Sequence, residues 1–283
     1  PTTVIVLAAG QGKRMRSDLP KVLHPLAGRP LLQHVLASAA SLKPREIRVV
    51  HGHGGGQVQA AFLGQPIGWF HQAVQKGTGH AVQQALPKIP PGDVALILYG
   101  DVPLVQPATL KKLVAKAVRG QVAVLTADMA KPAGYGRILR GERGAVMAIV
   151  EEKDATPAER QIREINTGTY VFEAGPLRES LARIGNDNVA GEYYIGDVLP
   201  LLRQDGGRVA AYRSADRSVN LGVNTRLELA EANRVARHRI LERHMLAGVT
   251  IVDPGAAWVE AEVEIEPDAT IEPGCVLRGA TRI

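Results

Sequence analysis

Apolar residues in the first half of the chain fall into two kinds of pattern, which alternate along the sequence. Residues 3–9 and 93–101 are continuous runs rich in Val, Ile, Leu and Ala, which is typical of strands covered by helices on both faces. Apolar residues also recur at helical spacing from Leu31 to Ala39, directly after Pro30, a residue that suits the start of a helix. This alternation predicts a mostly parallel α/β sheet flanked by helices.

The same criteria predict further elements up to residue 127, after which the rhythm changes. The additional predicted strands are 46–51, 67–70 and 121–127, and the additional predicted helices are 58–63, 80–86 and 108–119. Beyond residue 133, shorter strand-like runs with hairpin-like connections predict a small β-rich insertion over one side of the sheet, with a helix within residues 192–206.

Residues 225–246 have the pattern of one long amphipathic helix. Its charges are dense, but leucine, alanine, valine and isoleucine side chains leave it apolar surface for packing. Acidic residues lie mainly in its first half and basic residues in its second, as the helix dipole favours. We expect residues 225–248 to connect a first domain, residues 1–224, to a separate segment that begins at residue 249.

A six-residue period marks residues 249–283. Aliphatic residues fall at every sixth position, at Val259, Ile265, Ile271, Leu277 and Ile283. The residues two positions before each of them are mostly small, and Cys275 is one of these, which favours a structural role for the thiol. This spacing predicts the first coils of a parallel β-helix built from hexapeptides. Because the repeat stops in mid-coil, we expect the chain to be part of a longer protein.

Composition and charge narrow the class of ligand. The chain is 45% apolar and 22% charged, as in ordinary soluble proteins, and its net charge of +6 suits a protein that binds anions. Aromatic residues are only 4% and are not interleaved with Lys and Arg, which argues against nucleic acid. A single cysteine and the lack of an apolar run of about 20 residues favour a cytoplasmic protein without a membrane helix. Phosphorylated metabolites are therefore the expected partners.

A basic glycine loop, LAAGQGKRMRSDLPK at residues 7–21, comes directly after the first strand. A Walker loop is excluded because Arg14 follows Gly12-Lys13, where Ser or Thr is required. A dinucleotide-binding loop is disfavoured because Met15 replaces the third glycine and the next strand ends in His51 rather than an acid. A nucleotidyltransferase loop remains, in which backbone N–H groups and basic side chains bind a triphosphate.

The loop resembles the signature of sugar-phosphate nucleotidyltransferases, Gly-x-Gly-Thr-Arg-Met followed by Pro-Lys, with Lys13 in place of the usual Thr. Further stretches match, in order, the branch of bifunctional bacterial N-acetylglucosamine-1-phosphate uridyltransferases/glucosamine-1-phosphate acetyltransferases. These stretches are QKGTGHA, LYGDVPL, GYGRI, VEEKDA, EINTG, GEYYIGD and GVN. The resemblance implies a Rossmann-like nucleotidyltransferase fold followed by the start of a left-handed β-helix.

The resemblance also implies a reaction. UTP and N-acetylglucosamine 1-phosphate would give UDP-N-acetylglucosamine, a precursor of peptidoglycan and lipopolysaccharide, and pyrophosphate, with Mg²⁺ as cofactor. Full-length relatives are expected to form homotrimers through the β-helix, and acetyl transfer is expected to be absent from residues 1–283. Two alternatives stay open: the same chemistry on glucose 1-phosphate with UTP or dTTP, and a non-catalytic scaffold that keeps the fold.

Site residues carry over from the family motifs one by one. Arg14 and Lys21 are implied to neutralise phosphate charge, and Asp101 and Asn224 to hold Mg²⁺. Nucleotide-binding positions are Leu7, Ala8, Ala9, Gly10, Lys21, Gln72, Gly77, Thr78, Tyr99, Gly100, Asp101 and Asn224. Sugar-binding positions are Gly136, Glu151, Asn166, Glu192 and Tyr194. His51 and His53 lack a third ligand, so a strand-to-turn exit is preferred there over a metal site.

Overall fold

The computed structural model of the chain describes residues 1–117 and 121–283; the end of the helix predicted at 108–119 lies outside the described residues. The strands are β1 (Thr2–Ala8), β2 (Pro25–Leu26), β3 (Arg29–Pro30), β4 (Glu46–His51), β5 (Ile67–His71), β6 (Val94–Tyr99), β7 (Gln121–Asp128), β8 (Arg137–Arg140), β9 (Val146–Val150), β10 (Glu164–Glu173), β11 (Arg208–Ser214), β12 (Thr250–Ile251), β13 (Trp258–Val259), β14 (Thr270–Ile271) and β15 (Val276–Leu277). The α-helices are α1 (Leu31–Ala40), α2 (Gly55–Ala61), α3 (Thr78–Ala85), α4 (Pro107–Lys116), α5 (Ala174–Leu181), α6 (Val198–Gln204) and α7 (Arg226–Leu246).

One large sheet forms the centre of the molecule, with its strands in the order β11-β7-β10-β6-β1-β4-β5. β1 pairs in parallel with both β4 and β6, β4 pairs in parallel with β5, and β11 pairs in parallel with β7. β10 runs antiparallel to β6 and β7. The mostly parallel sheet predicted from the sequence is therefore confirmed, and the carboxyl ends of β1, β4 and β6 meet at one edge.

The apolar runs of the central strands arise because both faces of the sheet are covered. In β1, Ile5 and Leu7 pack into the core on one face, whereas Val4 and Val6 pack into the core on the other. All four side chains are buried. Because neighbouring residues of a strand point to opposite faces, a strand buried on both faces needs an unbroken apolar sequence.

The β-rich insertion is a hairpin of β8 and β9 attached to β10. One register pair, Ile165 with Arg137, joins the hairpin to the sheet. Its side chains Ile138, Val146 and Ile149 are buried in the core of one sheet face, which agrees with an insertion covering that side.

Besides the two-residue strands β2 and β3, α5 and β11 lie where the sequence patterns predict no element. α5 contains Gly175 and Pro176, which obscure a helical pattern, although proline is tolerated in the first turn. β11 is half-exposed along most of its length and lies at the end of the sheet, so it lacks a continuous apolar run. In addition, α2 begins at Gly55, three residues before the predicted helix at 58–63.

Helix α7 covers the segment with the six-residue period. Ala232, Ala236, Ile240 and Leu241 of α7 are buried in one cluster with the aliphatic residues of that segment. The segment contains short parallel pairs: Thr250 pairs with Thr270, Trp258 with Val276, and Glu264 with Arg282. Within the described residues, no helix is both long enough and apolar enough to cross a bilayer.

Leu96 of β6 and Leu63 offer a matched test of the core. Leu96 is completely buried, whereas Leu63 is 90% exposed. We expect Leu96→Ala to lower the free energy of unfolding by about 2–5 kcal/mol, because it removes buried methyl groups and leaves a cavity. Leu63→Ala should change it by less than about 0.5 kcal/mol. Urea unfolding followed by circular dichroism measures both, and equal effects would contradict the described core.

Candidate active site

The site begins where β1 and β6 end side by side. Leu7 pairs with Tyr99 in the parallel register, and the backbone N–H of Gly100 donates to the Leu7 carbonyl over 2.9 Å. Asp101 comes directly after Gly100, so its carboxylate emerges at the carboxyl edge of the sheet. In open α/β sheets this edge is where ligands bind.

The glycine loop after β1 lies against the segment that carries Lys21. Gly12 has φ = 64°, and a Cβ added there would stand 2.7 Å from the Cβ of Lys21. A residue with a side chain would therefore push Lys21 away. Met15 is buried beneath the loop, while Arg14 and Lys13 are exposed. The glycine thus holds the loop backbone and Lys21 in close contact, as a phosphate-binding loop requires.

Lys21 joins three distant parts of the chain. Its ammonium Nζ is 2.5 Å from Asp101 Oδ2 and 2.8 Å from Asn224 Oδ1. The side chains of Lys21 and Asp101 are 11% and 17% exposed. The backbone N–H of Val223 also donates to the Asp101 carbonyl over 2.8 Å. Two oxygen ligands from different segments therefore converge on a single cationic atom.

A capping box at the start of α7 positions Asn224. Glu228 Oε2 accepts hydrogen bonds from the backbone N–H groups of Asn224 and Thr225, each at 2.8 Å. The Thr225 hydroxyl in turn accepts from the Glu228 N–H. Glu228 is not among the site residues predicted from the sequence, although the spacing Thr-x-x-Glu before a helix is a capping signal.

The first of two cavities at this edge has a volume of about 230 Å³. It is bounded by the glycine loop, the end of β6 and the loop before α3. The residues lining it are Leu7, Ala8, Ala9, Gly10, Lys21, Val22, Gln72, Gln75, Gly77, Thr78, Ala81, Tyr99, Asp101 and Glu192. The Gln75 side-chain amide donates to the Ala9 carbonyl and so ties two of these walls together.

The second cavity adjoins the first and has a volume of about 550 Å³. Its predicted residues are Arg14, Gly136, Glu151, Asn166, Tyr194 and Asn224, and it shares Thr78, Tyr99, Asp101 and Glu192 with the first cavity. Its other polar lining residues include Tyr135, Tyr170, Asn220 and Glu228, which are not among the predicted site residues.

The segment 192–195 forms the boundary between the cavities. The Tyr193 N–H donates to the Lys76 carbonyl over 2.8 Å, and the Ile195 N–H donates to the Thr78 hydroxyl over 3.0 Å. This segment is therefore tied along the loop before α3. The structure brings together all the predicted site residues; only Gly100 lines neither cavity, because it lies behind the β1 carbonyls.

Partly buried acidic groups give the second cavity its electrostatic character. Burial, together with the nearby carboxylates of Asp197 and Asp154, raises the pKa of Glu151 to about 7. Burial and Glu192 raise the pKa of Tyr194 to about 12. Burial also raises the pKa of Tyr99, which therefore stays a neutral hydroxyl. These groups suit hydrogen bonding to an uncharged polar ligand such as a sugar.

Asn166 is held by its own strand. Its side-chain amide donates to the Tyr170 hydroxyl over 2.6 Å, and its Oδ1 accepts from the Gly168 N–H over 3.0 Å. These bonds span the register shift of β10 between Asn166 and Tyr170. The irregularity thus orients the side chain at the cavity wall.

The donor set around Lys21 fits a magnesium ion. The Asp101 carboxylate and the Asn224 amide oxygen are hard oxygen ligands, and Mg²⁺ takes few protein ligands when phosphates and water complete its shell. No three His, Cys, Asp or Glu side chains of residues 1–117 and 121–283 converge as a metal cluster.

His51 lies at the end of β4, and its ring stacks on that of His71 with the ring centroids 5.1 Å apart.

Comparison with known families shows to which family the chain belongs. The model of the MobA-like NTP transferase domain matches residues 4–165, more than half of the sequence. The chain belongs to the MobA-like NTP transferase family. In this NTP transferase the matched region includes the glycine loop, Lys21 and Asp101, and ends within β10.

Curated relatives of this NTP transferase extend over nearly all of it. "Bifunctional protein GlmU" of Alkalilimnicola ehrlichii is 49% identical over 281 residues, which is 99% of this chain and 60% of the relative. The protein of the same name from Kineococcus radiotolerans is 50% identical over 289 residues, which is all of this chain and 59% of the relative. The chain thus spans about three fifths of the length of these relatives.

Solved structures share the fold of this NTP transferase. A UDP-glucose pyrophosphorylase complexed with UDP-glucose superposes with a TM-score of 0.70 at 18% identity, covering 84% of this chain and 99% of that one. A putative glucose-1-phosphate thymidylyltransferase from Bacillus anthracis gives a TM-score of 0.66 at 19% identity, covering 84% and 96%. These similarities confirm a Rossmann-like nucleotidyltransferase fold.

Glu151 provides a pH-dependent test of the second cavity. Its pKa is about 7 in the folded chain, against 4.5 for an ordinary glutamate, so the folded state holds the proton more tightly. The protonated carboxyl therefore contributes to the free energy of unfolding fully below pH 4.5, and this contribution is lost as the pH rises to about 7. In the wild type we expect the free energy of unfolding to fall by on the order of 3 kcal/mol across this window. In Glu151→Gln this fall should be absent, because glutamine does not titrate.

Urea unfolding of both proteins between pH 4 and 8 makes this measurement. Glu142→Gln is the matched control, because Glu142 is exposed and lines neither cavity. Identical pH profiles for the wild type and Glu151→Gln would show that the carboxyl is not buried as described.

Proposed function

We propose that this chain transfers UMP from UTP to N-acetylglucosamine 1-phosphate, forming UDP-N-acetylglucosamine and pyrophosphate. The observation that carries the proposal is the meeting of two cavities at Lys21 and Asp101, with Asn224 alongside. The first cavity suits a nucleotide and the second a polar sugar. A phosphate group bound in either cavity would therefore lie close to Lys21 and Asp101.

The reaction is a displacement at phosphorus. A phosphate oxygen of the sugar 1-phosphate forms a bond to the α-phosphorus of UTP, and the bond from that phosphorus to the α–β bridging oxygen breaks. Pyrophosphate leaves with the electron pair. Such a step needs alignment and neutralisation of charge rather than a covalent nucleophile.

The negative charge of the phosphates would be neutralised by two basic residues and by the metal ion. Arg14, at the rim of the second cavity, would bind the leaving pyrophosphate, and Lys21 would bind the phosphates that react. Asp101 and Asn224 would hold Mg²⁺, which when bound supplies positive charge to the phosphate oxygens. Arg14 is exposed and therefore free to move onto a ligand, whereas Lys21 is bonded to Asp101 and Asn224 and would turn from them to the phosphates when these oxygens hold Mg²⁺.

The walls of the cavities would recognise the two ends of the product. Gln72, Gly77 and Thr78 would contact uracil, while Leu7 to Gly10, Tyr99 and Gly100 would contact the nucleotide through the backbone ends of β1 and β6. The sugar and its acetamido group would be bound by Gly136, Glu151, Asn166, Glu192 and Tyr194. A neutral Glu151 can donate as well as accept a hydrogen bond, as a sugar hydroxyl requires.

The choice of sugar rests on sequence rather than on fold. The structures with the same fold are named for UDP-glucose and glucose 1-phosphate, but at 18% and 19% identity they support the fold alone. The motifs EINTG and GEYY and the relatives at 49% and 50% identity favour N-acetylglucosamine 1-phosphate.

We further propose three parts for the chain: a transferase domain at 1–224, a connecting helix at 225–248, and the first coils of a left-handed β-helix at 249–283. Two of the parallel pairs, Trp258–Val276 and Glu264–Arg282, join residues three hexapeptides apart, as one triangular coil would require. Homotrimers built on this segment are the corresponding proposal for the whole protein.

Pyrophosphate release tests the activity. With UTP, Mg²⁺ and N-acetylglucosamine 1-phosphate we expect sustained turnover, and about 100-fold or greater loss of kcat in Asp101→Asn, because the carboxylate that would hold the phosphate-neutralising Mg²⁺ is removed. Asp205→Asn is the control, since Asp205 pairs with Arg183 on the exposed surface. It should keep the wild-type rate.

The same assay separates the alternatives. Turnover only with glucose 1-phosphate, with UTP or dTTP, would replace the proposed sugar. No turnover with any sugar phosphate, or a rate that Asp101→Asn leaves unchanged, would favour a non-catalytic scaffold.

A further inference from the structure

The side-chain nitrogen of Gln72 makes two hydrogen bonds at the wall of the first cavity. Nε2 lies 3.1 Å from the Gly77 carbonyl oxygen and 3.0 Å from His80 Nδ1. Gln72 is only 4% exposed and lines the cavity, so its amide is held among protein groups rather than rotating in solvent.

The Gly77 carbonyl decides which way this amide faces. A carbonyl oxygen can only accept, so the Gln72 atom beside it must be the NH₂ group. The carbonyl itself is held in place because it accepts a hydrogen bond from the Ala81 N–H over 3.1 Å. Only glycine fits at this position, because Gly77 has φ = 101° and a Cβ there would stand 2.6 Å from the Tyr193 carbonyl oxygen. The same NH₂ group then donates to His80 Nδ1, which must be the unprotonated nitrogen of the ring.

Several features keep His80 neutral. It lies in the first turn of α3, where the positive end of the helix dipole disfavours a cation. Burial and the nearby ammonium of Lys76 lower the pKa of the imidazole. The shorter contact, from Gln72 to Nδ1, makes Nδ1 the acceptor and leaves the proton of the neutral ring on Nε2. The side-chain nitrogen of Gln84 lies farther away, 3.3 Å from Nε2, and donates instead to the His80 backbone carbonyl over 3.1 Å. In this state Nδ1 remains an acceptor.

With both N–H groups engaged, Gln72 has only its carbonyl oxygen left for a ligand. No donor among residues 1–117 and 121–283 bonds to Oε1, and Oε1 is not among the buried polar atoms that lack a partner there. It is therefore accessible from the cavity. Gln72 offers the ligand an acceptor of fixed orientation.

We propose that His80 is a positioning residue for base selectivity, because it locks Gln72 as an acceptor facing the base. Uracil and thymine carry a donor at N3, which pairs with such an oxygen. Cytosine carries an acceptor at N3, which would oppose it, and an amide that cannot flip cannot correct the mismatch. This rests on the proposed nucleotidyl transfer and adds to it the residue that sets the class of base.

Variants of His80 separate orientation from packing. His80→Ala and His80→Leu remove one of the two acceptors that hold the Gln72 NH₂ group, so that the Gly77 carbonyl alone opposes a flip. We expect the ratio of kcat/KM for UTP to that for CTP to fall on the order of tenfold, the effect of one hydrogen bond. His80→Asn should keep the ratio, because its Oδ1 can take the place of Nδ1. His238→Ala, an exposed histidine on α7, is the matched control.

The outcomes distinguish this proposal from the activity itself. If the wild type releases no pyrophosphate from UTP and N-acetylglucosamine 1-phosphate, the proposed function fails. If the wild type is active and prefers UTP, but a folded His80→Ala or His80→Leu variant keeps that preference, the role of His80 is overturned. Circular dichroism establishes that the variants are folded.

A measurement on the wild-type protein tests the tautomer of His80 directly and does not depend on whether a variant folds. Nitrogen-15 NMR of the histidine rings reports which nitrogen carries the proton. We expect the Nε2–H tautomer for His80 at neutral pH, assigned by the loss of its signals in His80→Asn. An Nδ1–H tautomer or a cationic ring would overturn the proposal.

Discussion

The contact of the Lys21 ammonium with Asp101 and Asn224 is the interaction on which the site depends. Lys21 lies just after the glycine loop, Asp101 just after β6, and Asn224 just before α7. The 2.5 Å and 2.8 Å contacts hold these three segments around one charge. A half-buried charge keeps its place only where opposite charge and hydrogen bonds compensate its lost hydration. Asp101 lines both cavities, Lys21 the first and Asn224 the second, so this contact lies at their boundary.

Further backbone contacts hold the groups around Lys21 in a fixed geometry. The capping box of Glu228 holds the backbone beside Asn224, the Gly12 turn presses the loop onto Lys21, and the 192–195 segment is tied along the loop before α3. Each device is local and uses backbone groups, so it orients a side chain without occupying the cavity. Rigid support of this kind is what a displacement at phosphorus requires, since its main demand is alignment.

The central sheet and much of the site could be predicted from the sequence, because both leave local signals. Strands buried on two faces give unbroken apolar runs, and the glycine loop and the strand-ending Asp101 stand out by residue type. β11 was missed because a half-exposed edge strand has no such run, and α5 because of Gly175 and Pro176. His80 was not selected because its role depends on which atom of Gln72 faces the Gly77 carbonyl. A tautomer and an amide orientation have no one-dimensional signature.

The distance along the chain between Lys21 and Asn224 has a consequence for biosynthesis. They are 203 positions apart, so the ammonium has no amide partner until almost the whole sheet has been synthesised and folded. Contacts of such long range form late, since the entropy of closing the loop must be overcome first. A nascent chain or a partly unfolded one would thus present its phosphate loop without the completed charge site. Any ligand that binds only the completed site therefore stabilises the folded chain by mass action.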